Sequence, residues 1–574
     1  MNRKQRRKQK LKRQMGSPEE RFAEALAFFE NGRLKEARRA VVGLLKDFPQ
    51  AADLYRLKGM IAATEGAFED AEKVMRAGLS VDPKNADLAD ALGTVLMYSK
   101  KTGEAVVAFR RALINQPNAP GTLNNLGNAL MAEGDLDGAV EAYRESLRVR
   151  PGDAKTEGNL GNALKRQNRY QEAEAAYRRS LSADPADPET YIDLGDLLFR
   201  DRRWQEAIDS LDLAIDRGTS NPDAYAFKAR AMIALGRLEE AETVVRAGLR
   251  LNPNHPYSRQ TLSILHFHAE RWFEGWSEYQ SRWDLSISPM RPFPQPLWNG
   301  EPCADKTVLV WGEQGLGDEI MYASMVPDMA NACAHVVLEA DPRMVPIFKR
   351  SFPEMECIAR QNPPAERTLE TDVAYHVPMA NLGTQFRQSE AGFPGGQPYL
   401  RADARRVEAL RARYTDGDVK TVGLAWFSKR AGSGVDKSMP LQMMAPLTDV
   451  EGIRFVDLQY GDTLAERSEF EERTGSRLIH DDEIDQMVDL DAFAAQVAAM
   501  DLVISVSNTT AHMAGSLGIP TWLMVNAWPD RRWMLERSDS PWYESVRIFR
   551  QSEAGDWAPV ISTVREELLN LVSD

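Results

Sequence analysis

Cysteine is scarce in this chain. Three occur in 574 residues, Cys303, Cys333 and Cys357. None stands in a C-x-x-C pair, which excludes a disulfide framework and a zinc knuckle. Long apolar runs are missing as well: nothing approaches the ~18–20 residues a membrane helix needs. Positive charge is in deficit, with 71 Lys and Arg against 85 Asp and Glu and a formal net charge of -14. That balance argues against nucleic-acid binding by the chain as a whole. The exception is the head, MNRKQRRKQKLKR, with eight basic residues in thirteen. No apolar core follows it, so it is not a secretory signal. Residues 1–16 read as a solvated, disordered basic tail or as a contact for an anionic surface. These features together lead to the expectation of a cytoplasmic protein.

What is present is first of all a repeat. The length exceeds the ~250–300 residues at which single cores stop growing, so several domains are expected. Alanine recurs at Ala37, Ala71, Ala105, Ala139, Ala173, Ala207 and Ala241, always 34 residues apart. A second small-residue column runs Ala25, Gly59, Gly93, Gly127, Gly161, Gly195, Ala229 and Ser263. Prolines close most units, among them Pro49, Pro83, Pro117 and Pro151. Small residues let two helices cross closely, and proline stops the second helix. A period of 34 with these columns resembles the tetratricopeptide repeat, a helix–turn–helix unit. About eight units over 17–284 predict an all-α superhelix with a groove, because each unit exposes an apolar face that only its neighbour buries.

Within the middle units, Asn125, Asn159 and Asp193 share one register. Asn128, Asn162 and Asp196 share the register three residues on, and positions i and i+3 lie on one helix face. Such a ladder can hold an extended peptide by its backbone, or it can bond neighbouring helices. The array resembles that of the O-GlcNAc transferases, which use the ladder for acceptor binding. Solenoids of this type often pair, so a homodimer through the repeats is a further expectation.

Residues 285–304, LSISPMRPFPQPLWNGEPCA, carry too many prolines for a helix and read as a linker or wrapped segment ordered by Phe293 and Trp298. Beyond it, short apolar runs alternate with helix-length segments: 308–312, 336–340, 422–426, 455–459, 502–506 and 522–525. That alternation predicts two doubly wound α/β lobes, 305–414 and 415–574, with ligands at the strand carboxyl ends.

The stretch WGEQGLGDE at 311–319 has the spacing of a phosphate loop between Gly312 and Gly317, but Asp318 and Glu319 replace its lysine and hydroxyl. Gly315 and Gly317 permit close backbone approach. Asp318 stands at a helix start, where the ionised carboxylate is favoured. It reads either as a general base for a hydroxyl or as a helix cap. In the second lobe, Asn508, Thr509, Thr510 and His512 open a helix after a strand, a place suited to phosphates. His512 is otherwise a packed core histidine. The loop 428–441 is basic through Lys429, Arg430 and Lys437; a lysine there can neutralise a leaving phosphate, or the loop simply faces solvent. Gln459 ends a strand, where it can read a sugar or base. No D-x-D stands out, which favours catalysis without a metal.

WGEQGLGDE, PLWNG and VISVSNTTAHMAGSLGIPTW together resemble the catalytic domain of tetratricopeptide-repeat glycosyltransferases, relatives of the heptosyltransferases with a two-lobed GT-B fold. The resemblance implies an inverting transfer of sugar from a nucleotide-sugar donor to Ser or Thr of a protein. It implies Asp318 as base and Gly315, Gly317, Lys437, Ser438, Gln459, Asn508, Thr509, Thr510 and His512 around the donor. Ser507-Asn508-Thr509 replaces the D-T-G of heptosyltransferases, which removes the argument for a heptose donor and admits others, CMP-linked nonulosonates included. The S-N-T-T-A-H form resembles a branch that modifies bacterial surface or flagellar proteins, making flagellin a candidate acceptor. The rival readings are a repeat scaffold with a decayed GT-B domain, and an enzyme acting on a lipid-linked glycan.

Overall fold

The computed structural model describes residues 17–573 apart from 286–289, 314, 394–396, 416–418, 430–432 and 529–530. The basic tail and Arg430 therefore lie outside the described residues. The chain divides into two compact units, one ending at Thr219 and the other running from Ser220. The division falls inside the repeat array, not at the proline-rich stretch.

In the first unit, twelve helices among the described residues run from Pro18–Glu30 to Trp204–Asp216. The two small-residue columns have distinct jobs there. The alanines of the second helices, Ala37 to Ala207, are fully buried. The glycines of the first helices leave room for one large side chain sixteen residues on. A Cβ at Gly93 would sit 2.6 Å from the Phe109 ring, and one at Gly127 would overlap the Tyr143 ring. Gly127→Val is therefore expected to destabilise the array by about 1–3 kcal/mol, since overpacking forces the ring or the helix to move. Urea unfolding read by far-UV circular dichroism checks this; an unchanged midpoint would contradict the close crossing.

Every repeat also turns through a left-handed residue, at 32, 66, 100, 134, 168, 202, 236 and 270. Glycine fills four of these places, and Lys100, Asn168, Arg202 and Glu270 hold the others with φ of 55–63°. Eight consecutive units on this pattern establish the repeat count independently of the helices.

In the second unit, the last four repeat helices, Asp223–Ala234, Leu238–Leu251, Pro256–His268 and Trp272–Tyr279, precede two parallel sheets. The first contains β1 (Cys303–Trp311), β2 (Cys333–Ala340), β3 (Glu356–Ala359) and β4 (Val373–Pro378), in the order β3-β2-β1-β4. The second contains β5 (Lys420–Ala425), β6 (Ile453–Asp457), β7 (Leu502–Val506), β8 (Thr521–Val525) and β9 (Val546–Arg550), in the order β6-β5-β7-β8-β9. Every pairing between these strands is parallel. The strand order reverses direction between β1 and β4 and between β5 and β7, the two places where such sheets open a crevice at their carboxyl ends.

The proline-rich stretch is part of this unit. Trp298 donates its backbone N–H to the His376 carbonyl (2.9 Å), and His376 donates back to Pro296 (3.1 Å), so the segment runs along the outer edge of β4. Phe293 packs on Trp311 and His376. The last repeat is equally embedded. Trp276 is buried among the side chains of the first lobe and donates its indole N–H to the Arg387 carbonyl (3.0 Å). It lies flat over Gly383, where any Cβ would collide with it.

Candidate functional site

A cavity of about 820 Å³ opens within the second unit and is lined from both sheets and from the last repeat. The turn after β1 supplies Gly312, Glu313, Gly315, Gly317 and Asp318; the ends of β2 and β3 supply Arg343 and Arg360. From the second sheet come Ser428 and Lys437 after β5, Tyr460 after β6, Ser507, Asn508, Thr509 and His512 after β7, and Arg531 and Arg532 after β8. Gln260, Tyr279, Arg282 and Trp283 form the wall contributed by the repeat.

Asp318 is the third residue of the helix Leu316–Tyr322, whose N-cap is Gly315 with no side-chain cap, so Asp318 does not serve as one. Its side chain is instead engaged by Arg532. Nε of Arg532 donates to Oδ1 at 3.1 Å, and Nη2 donates to the same oxygen. Both residues are buried, 5% and 6% exposed. Asp318 thus lines the cavity as half of an ion pair that ties the two lobes together.

Behind the turn sits Glu319, also buried. Its Oε1 accepts the Asp341 backbone N–H (2.7 Å), and its Oε2 lies 3.4 Å from Arg360, which donates to the Gly312 carbonyl (2.8 Å). Loss of hydration outweighs the Arg360 charge and pushes the Glu319 carboxyl from 4.5 up to about 7. A carboxyl whose folded value is raised stabilises the fold below its unfolded value, and that contribution is lost as pH rises through the folded one. Between pH 4.5 and about 7 the loss is on the order of 3 kcal/mol. Glu319→Gln is expected to gain thermal stability on the parent across that window and to hold a constant difference above it. Parallel melting curves in pH would argue against a buried, reluctant carboxylate.

Glu313 has a different partner. Arg282 forms a two-point contact with it, Nε to Oε2 at 2.9 Å and Nη2 to Oε1 at 2.7 Å, and the Ala380 N–H donates to Oε1 at 3.1 Å. Arg282 also donates to Asn381 and lies over the Tyr279 and Trp283 rings at 4.4 and 4.3 Å.

On the opposite wall, Asn508 caps the helix Thr509–Ser516 by accepting the Ala511 N–H (3.2 Å), and its amide donates to the Phe427 carbonyl (3.2 Å). His512 shares a hydrogen bond with Tyr543 through Nδ1 (2.9 Å) and stacks on Trp533 (5.1 Å). Burial holds Tyr543 and Tyr399 neutral, far above the usual phenol range. Tyr399 donates its hydroxyl to the Ile320 carbonyl (2.8 Å). Ser507 accepts the Trp533 indole N–H (2.8 Å), a neutral contact.

Of the residues singled out from sequence, the cavity brings together Gly315, Gly317, Asp318, Lys437, Asn508, Thr509 and His512. Ser438, Gln459 and Thr510 do not line it. Ser438 accepts the Ser428 N–H and donates to the Gly434 carbonyl, tying the loop to itself. The Gln459 carbonyl accepts the N–H groups of Trp426 and Phe427, so this amide closes the end of β5 and is not offered to a ligand. Thr510 is buried and donates to the Leu458 carbonyl.

The asparagine ladder is largely spent on the array itself. Asn125 donates to Asp90, Asn159 to Asn124 and Asn162 to Asp193; Asn128 and Asn162 accept from Tyr143 and Tyr177. Asp193 and Asp196 share Lys165, and Asp196 also takes Arg200. These contacts are the helix-bonding alternative: Asn125, Asn159, Asn162 and Lys165 reach a neighbouring repeat, while the two tyrosines bond within their own.

Sequence reasoning passed over Arg282, Glu313, Arg531 and Arg532. The adjacent arginines of DRRW at 530–533 were the available signal, in a chain short of positive charge.

Profiles described as tetratricopeptide repeat match residues 22–86 and 159–222, 119–186 and 198–263. The N-terminal region is a tetratricopeptide-repeat array. Over 370 residues the chain is 32% identical to protein FlbA of Caulobacter vibrioides, a match covering 60% of this chain and 61% of FlbA. It therefore spans less than two thirds of that relative. Among solved structures, PilF of Pseudomonas aeruginosa is 22% identical, covering 38% of this chain and 98% of its own, with a TM-score of 0.34. YrrB, described as a TPR protein with an unusual peptide-binding site, is 19% identical over 33% of this chain and 97% of its own, with a TM-score of 0.30. No helix among the described residues is long and apolar enough to cross a membrane.

Proposed function

We propose that the chain is an inverting, metal-independent glycosyltransferase acting on Ser or Thr hydroxyls of a protein recruited by its repeats, with flagellin the candidate acceptor. One observation carries the reading: a single cavity holds Asp318 from the turn after β1 together with Lys437 and the start of the helix Thr509–Ser516. A base and an anion site are what the reaction needs on either side of an anomeric carbon. The hydroxyl oxygen forms its bond to that carbon while the bond to the leaving phosphate breaks. The hydroxyl proton passes to Asp318, and the bonding pair stays on the phosphate, met by Lys437 and the helix-start N–H groups. Gly317 lets the β1 turn approach His512 closely, since a Cβ there would lie 2.9 Å from the imidazole Cδ2. The chemistry of the cavity supports any nucleotide-bearing donor and does not single out a sugar.

The test is incubation of the full chain with a panel of nucleotide sugars and purified flagellin, followed by mass spectrometry of the intact acceptor. A mass increment equal to one glycosyl unit on the protein is expected. A second reading, a repeat scaffold with an inactive cavity, is favoured by the pairing of Asp318 with Arg532. It predicts no donor hydrolysis and no increment with any member of the panel.

A further inference from the structure

We propose that Arg532 is a positioning residue that holds Asp318 in reserve and moves to the donor's phosphate when it arrives, so that donor binding precedes and enables use of the carboxylate. This rests on the glycosyltransferase reading above. Two N–H groups of Arg532 converge on one carboxylate oxygen, and the pair is buried between elements of different lobes. An oxygen so engaged is a poor acceptor for an alcohol proton. The neighbouring Arg531 is fixed by neutral groups: it donates to the hydroxyls of Tyr279 (2.7 Å) and Tyr322 (2.9 Å) and lies 4.3 Å over the Tyr279 ring.

The segment is also anchored beside the proposed phosphate seat, because Trp533 bonds Ser507 and stacks on His512. A phosphate is the stronger competitor for a guanidinium, since it offers more charge and a two-point fit. Its arrival takes Arg532 away from Asp318, leaving the carboxylate to receive the hydroxyl proton. Arg532 then sits where the bonding pair of the broken sugar–phosphate bond collects. The acceptor meets a competent base only after the donor is in place, which suppresses premature chemistry on the hydroxyl.

The test is calorimetric titration of the full-length parent, Asp318→Asn, Arg532→Gln, Arg532→Lys and the double variant with UMP, UDP, GDP, ADP and CMP. For whichever nucleotide the parent binds, Asp318→Asn is expected to bind about tenfold tighter, because the competitor for Arg532 is gone. Arg532→Gln is expected to bind about tenfold weaker, with Arg532→Lys recovering part of the loss. The double variant should match Arg532→Gln alone, since the gain from Asp318→Asn acts only through Arg532. A merely structural pair would weaken binding in both single variants. If Asp318→Asn binds no tighter than the parent, the proposal is overturned while the transferase reading stands, and this arm decides even if Arg532→Gln fails to fold. If the parent binds none of the five, both fall.

Discussion

Replacing Asp318 by asparagine is expected to reduce sugar transfer by about 10²–10⁴-fold, the usual contribution of a positioned base. The amide has the same shape, so the turn after β1 and the cavity survive. What changes is twofold. The side chain can no longer take a proton, and Arg532 is left buried beside a neutral partner. Breaking one half of a buried pair typically costs ~3–5 kcal/mol, so the variant is also expected to melt earlier than the parent. The two effects separate cleanly. Added nucleotide should restore part of the lost melting temperature, because an anion gives Arg532 a new partner, but it should not restore transfer. Single-turnover transfer and melting curves with and without nucleotide read both. Transfer within tenfold of the parent would remove Asp318 from the chemistry.

The largest stability effect is expected at Arg282. Its guanidinium is the sole cation bonded to Glu313 among the described contacts, and both side chains are buried. Arg282→Met leaves a carboxylate in an apolar wall built of Tyr279 and Trp283, and should destabilise the second unit by about 3–5 kcal/mol. Adding Glu313→Gln should recover a good part, since an amide can keep the Ala380 N–H without a charge to bury. Urea unfolding of the parent, single and double variants checks both. Additive losses in the double variant would mean the two side chains are not energetically coupled. Because the pair also lines the cavity, the single variant should impair donor and acceptor handling together.

How much of this was legible in the sequence depends on whether a contact leaves a pattern. The crossing of Gly127 with Tyr143 is made again at Gly93 with Phe109 and at Gly161 with Tyr177, so the columns announce it. Of the nine strands among the described residues, six read as apolar runs, the end strand β6 included. The three that did not, β3, β4 and β9, carry polar side chains such as Glu356, His376 and Arg547 among their apolar ones. Within the cavity, Asp318, Lys437, Asn508, Thr509 and His512 ride on strand–turn–helix motifs, and such motifs fix position locally. Arg532 lies 214 residues from Asp318. Arg282 is 31 residues from Glu313, across the proline-rich stretch. A one-off tertiary pair has no periodicity, so nothing in the chain signals it. Gln459 failed for a related reason: its place at a strand end was legible, but the two backbone N–H groups that occupy it belong to the neighbouring strand's exit.

The slot in which Trp276 lies over Gly383 governs how this protein can be dissected. A fragment started at the proline-rich stretch would lose Trp272, Trp276, Tyr279 and Arg282 together, uncovering an aromatic floor and leaving Glu313 ionic without a mate. Such a piece would be sticky and open on one side, and its behaviour would say nothing about the intact protein. A boundary at residue 220 keeps these side chains with the lobes they seal.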